Sequence, residues 1–197
     1  IFIWIACCWL IACDRDDEDT HASLKDMEWF TVEDSDDELD HLIYEVYKST
    51  GIPLFYNDTI RSRTELNEWG GEYTLYQILN PNYIIEGMTG LWTFTKSTDR
   101  EKLKKSVRLF RDKVYPKLPE SYRSSCYLLV DYLYQKEFYR DVVGARKGLN
   151  TTVIGRVAEI DDLSEEDQER LAWEVVAEEV YDSVRVNYTK EMDAFFQ

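Results

Sequence analysis

The first nineteen residues divide this chain before any of it folds. Ile1–Ala12 is apolar and uncharged, and directly after Cys13 the sequence turns to Asp14-Arg15-Asp16-Asp17-Glu18-Asp19. A membrane-spanning helix needs about 20 apolar residues, so this run is too short to cross a bilayer. Its length suits the apolar core of a secretory signal, about 7–15 residues. The competing reading is a buried core helix or strand. The chain does not begin with Met and has no basic stretch before Ile1, which predicts that further residues precede it. The division predicted is 1–12 as signal, 13–34 as acidic tether and 35–197 as the folded domain.

The junction itself, Leu10-Ile11-Ala12-Cys13, resembles a bacterial lipobox: small and aliphatic residues stand just before a cysteine, behind a short apolar segment. The resemblance implies cleavage before Cys13 and acylation of its thiol, so that lipid rather than a helix holds the protein at a membrane. The acidic run that follows resembles the export tag of Bacteroidota surface lipoproteins and implies the outer face of the outer membrane. By charge alone, the same run is a solvated tether.

The formal net charge is −16, and none of it comes from Ile1–Ala12. Such acidity excludes nucleic acid as a partner, because phosphate binding needs basic patches. It equally disfavours adhesion to an anionic membrane through charge. Of the four cysteines, Cys7 and Cys8 lie in the leader and Cys13 is the lipid position. Cys126 is left alone between apolar neighbours, as a buried residue rather than a bridge partner or nucleophile. No cysteine zinc site is possible, and two histidines, His21 and His41, do not make a histidine-rich one. Both histidines are expected to face solvent.

Along the tether, Met27-Glu28-Trp29-Phe30 is a possible short docking segment. Ser35-Asp36-Asp37-Glu38 has the pattern of a capping box, and Leu39, Leu42, Ile43, Val46 and Tyr47 follow at helical spacing up to Gly51. Ile52–Tyr56 reads as a short strand, at a sheet edge because of Pro53. Tyr73, Leu75, Ile78 and Leu79 suggest a helical piece, and Trp92 and Phe94 a strand or packed loop. Thr98-Asp99-Arg100-Glu101 opens a helix with Leu103, Val107, Phe110 and Val114 inward, stopped by Pro116 and Pro119. Ser125–Tyr134 reads as a buried strand and Thr151–Ile160 as another. Ser164 caps a long last helix from Glu165 to about Val186. This order predicts an α+β domain with a small sheet and a late helix.

On that last helix, at about 100° per residue, Leu171, Ala172, Val175, Val176 and Val180 share one side, with Trp173 and Val184 at its margin. Glu179 falls inside the apolar arc, and Glu178 and Asp182, four apart, neighbour each other at its edge. A carboxylate on a buried face is costly unless it is paired or its pKa shifts. Two readings stand open: a partly exposed helix with a solvated edge, or a remnant or variant of a site.

The helix Leu39-Asp40-His41-Leu42-Ile43-Tyr44 follows the leader and tether. The strand Ile52–Tyr56 comes next, then strands near Tyr127–Leu133 and Val153–Val157 and a long helix. By element order over about 35–197, this layout resembles the zinc-binding metallopeptidase lipoproteins that accompany TonB-dependent nutrient uptake in Bacteroidota. The resemblance implies a zincin-like fold, whose late helix carries His-Glu-x-x-His: two histidines hold zinc and the Glu activates the metal-bound water. Here the corresponding segment is Glu178-Glu179-Val180-Tyr181-Asp182. Glu179 matches the catalytic acid, and Glu178 and Asp182 stand at the ligand positions. Zinc prefers His and Cys; a carboxylate-only set better suits Mg, Mn or Ca. Loss of both histidines implies a catalytically silent relative without a cofactor, serving as a binding or accessory module. If the protein is active, Zn or another divalent cation is implied. The family layout also implies a further ligand beyond Gln197. Its partners would be TonB-dependent uptake components and peptide or glycan ligands.

Other motifs carry less. Gly144-Ala145-Arg146-Lys147-Gly148 lacks the spacing of a phosphate-binding loop and reads as a turn. Ser124-Ser125-Cys126 has no Gly-x-Ser-x-Gly setting and no histidine partner for a triad. The tyrosines and tryptophans between Trp69 and Trp92 either fill the core or form a stacking surface for sugar or peptide.

Overall fold

A computed structural model describes residues 28–82, 91–135 and 142–187. The leader, Cys13, His21 and the tether up to position 27 lie outside the described residues.

The organising element is strand β5, Tyr127–Gln135, whose first four residues are fully buried. Three elements pair with it. Strand β1, Leu54–Phe55, runs parallel to it at the sheet edge; strand β7, Thr152–Ile154, runs parallel on its other side; and strand β4, Trp92–Lys96, lies antiparallel to its second half. Strand β6, Ala145–Lys147, closes the sheet antiparallel to β7. Side chains alternate across a strand. Tyr127 and Leu129 therefore enter the larger core under the helices, while Leu128 and Val130 enter a smaller core with Leu79, Cys126 and Val153 on the other face.

Helix α1, Glu38–Thr50, buries Leu39, Ile43 and Val46 and ends at Gly51, whose positive φ of 73° lets its N–H bond the Tyr47 carbonyl. Its cap is not the Ser35 box. Asp37 caps it, accepting from Leu39 N–H and Asp40 N–H at 3.0 and 3.1 Å, while Ser35 Oγ accepts from Asp37 N–H one turn earlier. Helix α2, Arg100–Leu109, is likewise capped one residue inside its predicted box, by Asp99. It continues as a π-helical turn, Phe110–Val114, and Pro116 ends the run in a short 3₁₀ turn. The four inward positions predicted on this helix are buried, and Phe110 meets the Tyr127 ring at 4.9 Å. Helix α3, Glu165–Asn187, opens with Ser164 and Asp167 in a reciprocal capping box.

The fold is thus the α+β arrangement expected, with a small sheet and a long late helix. No helix among the described residues is long and apolar enough to cross a membrane. The strand expected over Thr151–Ile160 stops at Ile154 and gives way to a 3₁₀ turn at Val157–Glu159, and two further elements differ from expectation. The predicted helical piece near Tyr73 is strand β3, Glu72–Ile78, which forms an antiparallel hairpin with strand β2, Thr59–Leu66. Asn67 Oδ1 caps the turn by accepting from Trp69 and Gly71 N–H, and Gly70 takes a φ of 78°. Tyr73 and Leu75 fit a strand period and Leu75, Ile78 and Leu79 a helical one, and pairing with β2 decides for the strand. The other is the segment read as a turn at Gly144–Gly148, which is strand β6.

The folded part also begins before Ser35. Glu28–Phe30 makes a 3₁₀ turn that buries Trp29, with the Arg63 guanidinium 5.1 Å from the Trp29 ring centre. Arg61 donates to the Thr31 carbonyl, and Asp34 pairs with His41 on α1 at 2.6 Å. Hydrogen bonding to Asp34 raises the His41 pKa, and the same bond lowers that of Asp34.

Gly148 marks a close crossing. A Cβ there would lie 2.6 Å from Pro81 Cα and closer still to the Asn80 carbonyl oxygen. The crossing is tied by Asn150, which accepts from Asn80 N–H and donates to the Ile78 carbonyl. Backbone cannot yield as a flexible side chain does. Gly148→Ala is therefore expected to destabilise the protein by about 1–3 kcal/mol, the usual range for overpacking, measured as a fall in denaturant midpoint at unchanged slope.

Candidate functional site

Register across three strands builds the polar centre of this protein. Tyr127 on β5 stands opposite Thr152 on β7, and Thr152 stands opposite Lys147 on β6. The three side chains therefore share a row on the face covered by α3. Helix α3 approaches β6 closely because Gly144 has no side chain; a Cβ there would meet Leu171 Cδ1 at 2.7 Å. The helix lowers Glu179 onto that row.

Glu179 is fully buried. Its Oε2 lies 2.9 Å from Lys147 Nζ and accepts from Ser124 Oγ at 3.1 Å. Ser124 Oγ and Thr152 Oγ1 are hydrogen-bonded at 2.8 Å. Lys147 Nζ also donates to the Glu179 carbonyl at 3.3 Å. A quarter of the Lys147 side chain remains exposed, so its stem crosses apolar surface while its ammonium reaches the carboxylate. Beside the ion pair, Tyr127 OH and Glu179 Oε1 are both buried without a hydrogen-bond partner. Burial, and then the Glu179 charge, raise the Tyr127 pKa far above the ordinary phenol value.

Glu178, one residue earlier, faces the same strand from the edge. Its Oε2 accepts from Lys147 N–H at 3.0 Å and lies 3.4 Å from Arg146 Nη1. The Arg146 guanidinium in turn covers the Trp92 ring at 5.2 Å. Two adjacent carboxylates of α3 are therefore matched by two adjacent cations of β6.

Of the residues singled out by sequence, Glu179 is buried inside the apolar arc as its wheel position requires, and Glu178 is half-buried at the edge. Asp182 lies on α3, but its side chain is outside the description, as is Cys13. Among the described residues, no three His, Cys, Asp or Glu side chains gather as metal ligands. Glu178, one of the two expected ligands, is already matched by Arg146 and by the Lys147 N–H. His41 belongs to α1 and pairs with Asp34 and, at 3.7 Å, with Glu45. Burial pushes the Cys126 thiol up to about 11, the environment of an inert structural cysteine.

Sequence reasoning missed Lys147 and Ser124. Lys147 sat in a segment read as a turn, and Ser124 was considered only as a nucleophile. The one signal available was the need for a cation near a buried Glu179, and only strand register names which cation. Two clefts lie elsewhere. One, of about 570 Å³, runs between Thr31–Ser35 and Leu54–Ser62; the other, of about 590 Å³, lies between Leu79–Asn82 and β4. Glu179 lines neither.

The chain matches no protein-family model, no curated protein and no solved structure.

Removing one partner of a buried ion pair leaves the other charge uncompensated, at about 3–5 kcal/mol. Lys147→Met should lower stability by that order, and Lys147→Met with Glu179→Leu should regain most of the loss. Equilibrium urea denaturation of the single and double variants measures both; a neutral single variant would contradict the clamp.

Proposed function

We propose that this protein is a surface-anchored accessory module without catalytic activity, held to the outer membrane by lipid on Cys13 and serving nutrient uptake beside TonB-dependent components. In this reading it is a silent relative of the zinc-binding metallopeptidase lipoproteins, with a zincin-like domain. The observation that carries it is the pairing of Glu178 and Glu179 with Arg146 and Lys147. At the positions where that family holds metal and activates water, this chain has carboxylates committed to neighbouring cations. A general base needs an oxygen in reach of the proton it takes, and Glu179 Oε2 is held by Lys147 and Ser124.

One observation favours a second reading, a metal-dependent hydrolase with Glu179 as base and with Glu178 and Asp182 as ligands. Glu179 Oε1 takes no part in the Lys147 pair and is buried on the side of the Tyr127 hydroxyl.

Elemental analysis after dialysis without chelator, combined with peptidase assay, separates the two. The accessory reading expects substoichiometric metal and no hydrolysis; near-stoichiometric zinc, manganese or calcium with activity lost in Glu179→Gln would establish the hydrolase. Anchoring is tested separately with the full gene product in a Bacteroidota host. Cys13→Ser should abolish labelling by radioactive palmitate and move the protein out of the membrane fraction. Palmitate labelling that survives the substitution would refute attachment at Cys13.

A further inference from the structure

Strand β1 ends the main sheet, and its outer edge borders the cleft of about 570 Å³ described above. The backbone pattern fixes which groups lie on that edge. Tyr127 N–H donates to the Pro53 carbonyl at 3.1 Å, and Leu54 stands opposite Tyr127. In a parallel ladder of this register Pro53 and Phe55 bond to β5, so the N–H and C=O of Leu54 point the other way, towards the cleft. Among the described residues neither group has a hydrogen-bond partner, although Leu54 is only 1% exposed. Buried backbone groups are almost always paired, and leaving them unpaired is costly.

Across the cleft from β1 runs the segment Thr31–Ser35. It has no helix, turn or ladder of its own, yet its side chains alternate between two sides as a strand's do. Val32 packs against the larger core and Asp34 reaches His41 on α1, whereas Thr31 and Glu33 meet Arg61 on the hairpin. The other wall divides in the same sense. Leu54 and Tyr56 lie on the α1 side, where the Tyr56 hydroxyl donates to Asp40 at 2.8 Å. Phe55 lies on the side of the smaller core, with Ile60. Residues of both sides line this one cleft. It therefore passes between two stretches whose sides match, where one further strand would continue the sheet from β1. The segment is held by the Asp34–His41 and Glu33–Arg61 pairs, with Asp34, His41 and Glu33 half-exposed or more. Surface pairs of this kind contribute little, so the segment can yield to an incoming chain.

Charge selects the occupant. On the α1 side, Asp34 and Asp40 make their hydrogen bonds through Oδ1, and the Oδ2 of each has no partner among the described residues. On the other side the cleft offers the apolar Phe55 and Ile60. A second copy, from a chain of net charge −16, would be repelled by the same carboxylates. We propose that the outer edge of β1 accepts an extended segment of another protein in which basic and apolar residues alternate. Side chains of a strand point to opposite faces in turn. The basic residues of the segment thus reach Asp34 and Asp40 on the α1 face, while its apolar residues rest on Phe55 and Ile60 on the other. Its backbone supplies the partners of Leu54 N–H and C=O. The inference goes beyond the accessory role above and depends on neither the lipid nor the Glu179 clamp.

The test adds three labelled ten-residue peptides to the folded protein: alternating Lys and Val, a block of Lys followed by a block of Val in the same proportion, and alternating Glu and Val. Fluorescence anisotropy reads affinity, and hydrogen exchange of the nitrogen-15-labelled protein reads location. The alternating Lys/Val peptide should bind saturably, slow exchange of the Leu54 amide by at least about tenfold, and shift the amides of residues 31–35. The block and Glu/Val peptides should bind at least about tenfold more weakly, since one loses the facing of its side chains and the other its charge. Asp34→Asn with Asp40→Asn should weaken Lys/Val binding by about tenfold. Methylating the amides of every Lys, or of every Val, blocks one edge of the peptide backbone. One of these two sets should abolish binding, and which one does so reports whether the segment runs parallel or antiparallel to β1. The proposal is overturned by no saturable Lys/Val binding at millimolar peptide, by equal binding of the block or Glu/Val peptide, or by tolerance of both methylated sets. A Leu54 amide unaffected by the peptide, or already as protected without it, overturns it as well, and so does unchanged binding by the double variant.

Discussion

Glu179 enters the core from α3 with none of its surface in contact with water, and Lys147 on β6 is the cation that makes this burial tolerable. An isolated carboxylate in such a place would be strongly disfavoured. The pair therefore constrains how α3 sits on the sheet: the helix must present residue 179, and β6 must end at residue 147, in one row with Thr152 and Tyr127. Gly144 and Gly148 flank β6 and permit the close approaches that this placement needs, to α3 on one side and to Asn80–Pro81 on the other. Ser124 and Glu178 add hydrogen bonds on either side of the pair.

The domain treats charge and apolar surface in opposite ways at its two ends. Around α3, even the buried carboxylate is matched by a cation. On the hairpin, apolar side chains and carboxylates stand exposed together. The N-terminal segment joins the two ends, since Trp29 and Thr31 pack against the hairpin while Asp34 reaches α1.

Much of the fold was legible because helices and buried strands carry their periods locally. The inward positions of α1 and α2, the buried strand β5, the Ser164 cap of α3 and the place of Glu179 within an apolar arc all follow from spacing and from cap chemistry. The misplaced caps have a simple reason. Ser35 and Asp37, or Thr98 and Asp99, compete for the same free N–H groups within two residues, and here Asp wins each contest. The hairpin was misread because Tyr73, Leu75, Ile78 and Leu79 suit two periods over so short a stretch, and because of these four only Leu79 is buried. Pattern arguments assume that apolar residues point inward. Tyr73, Leu75 and Ile78 do not, so the period that placed them was read against the wrong reference.

What the sequence alone determined is therefore local: an apolar segment too short to span a bilayer, an acidic body, an α+β element order, and a helix whose apolar arc contains a glutamate. What only the tertiary structure decided is which groups meet. Lys147 and Glu179 are far apart in the chain, and nothing in either neighbourhood specifies the other. Strand register sets Lys147 beside Thr152, helix packing over Gly144 sets Glu179 above them, and the low dielectric between the layers makes that meeting matter.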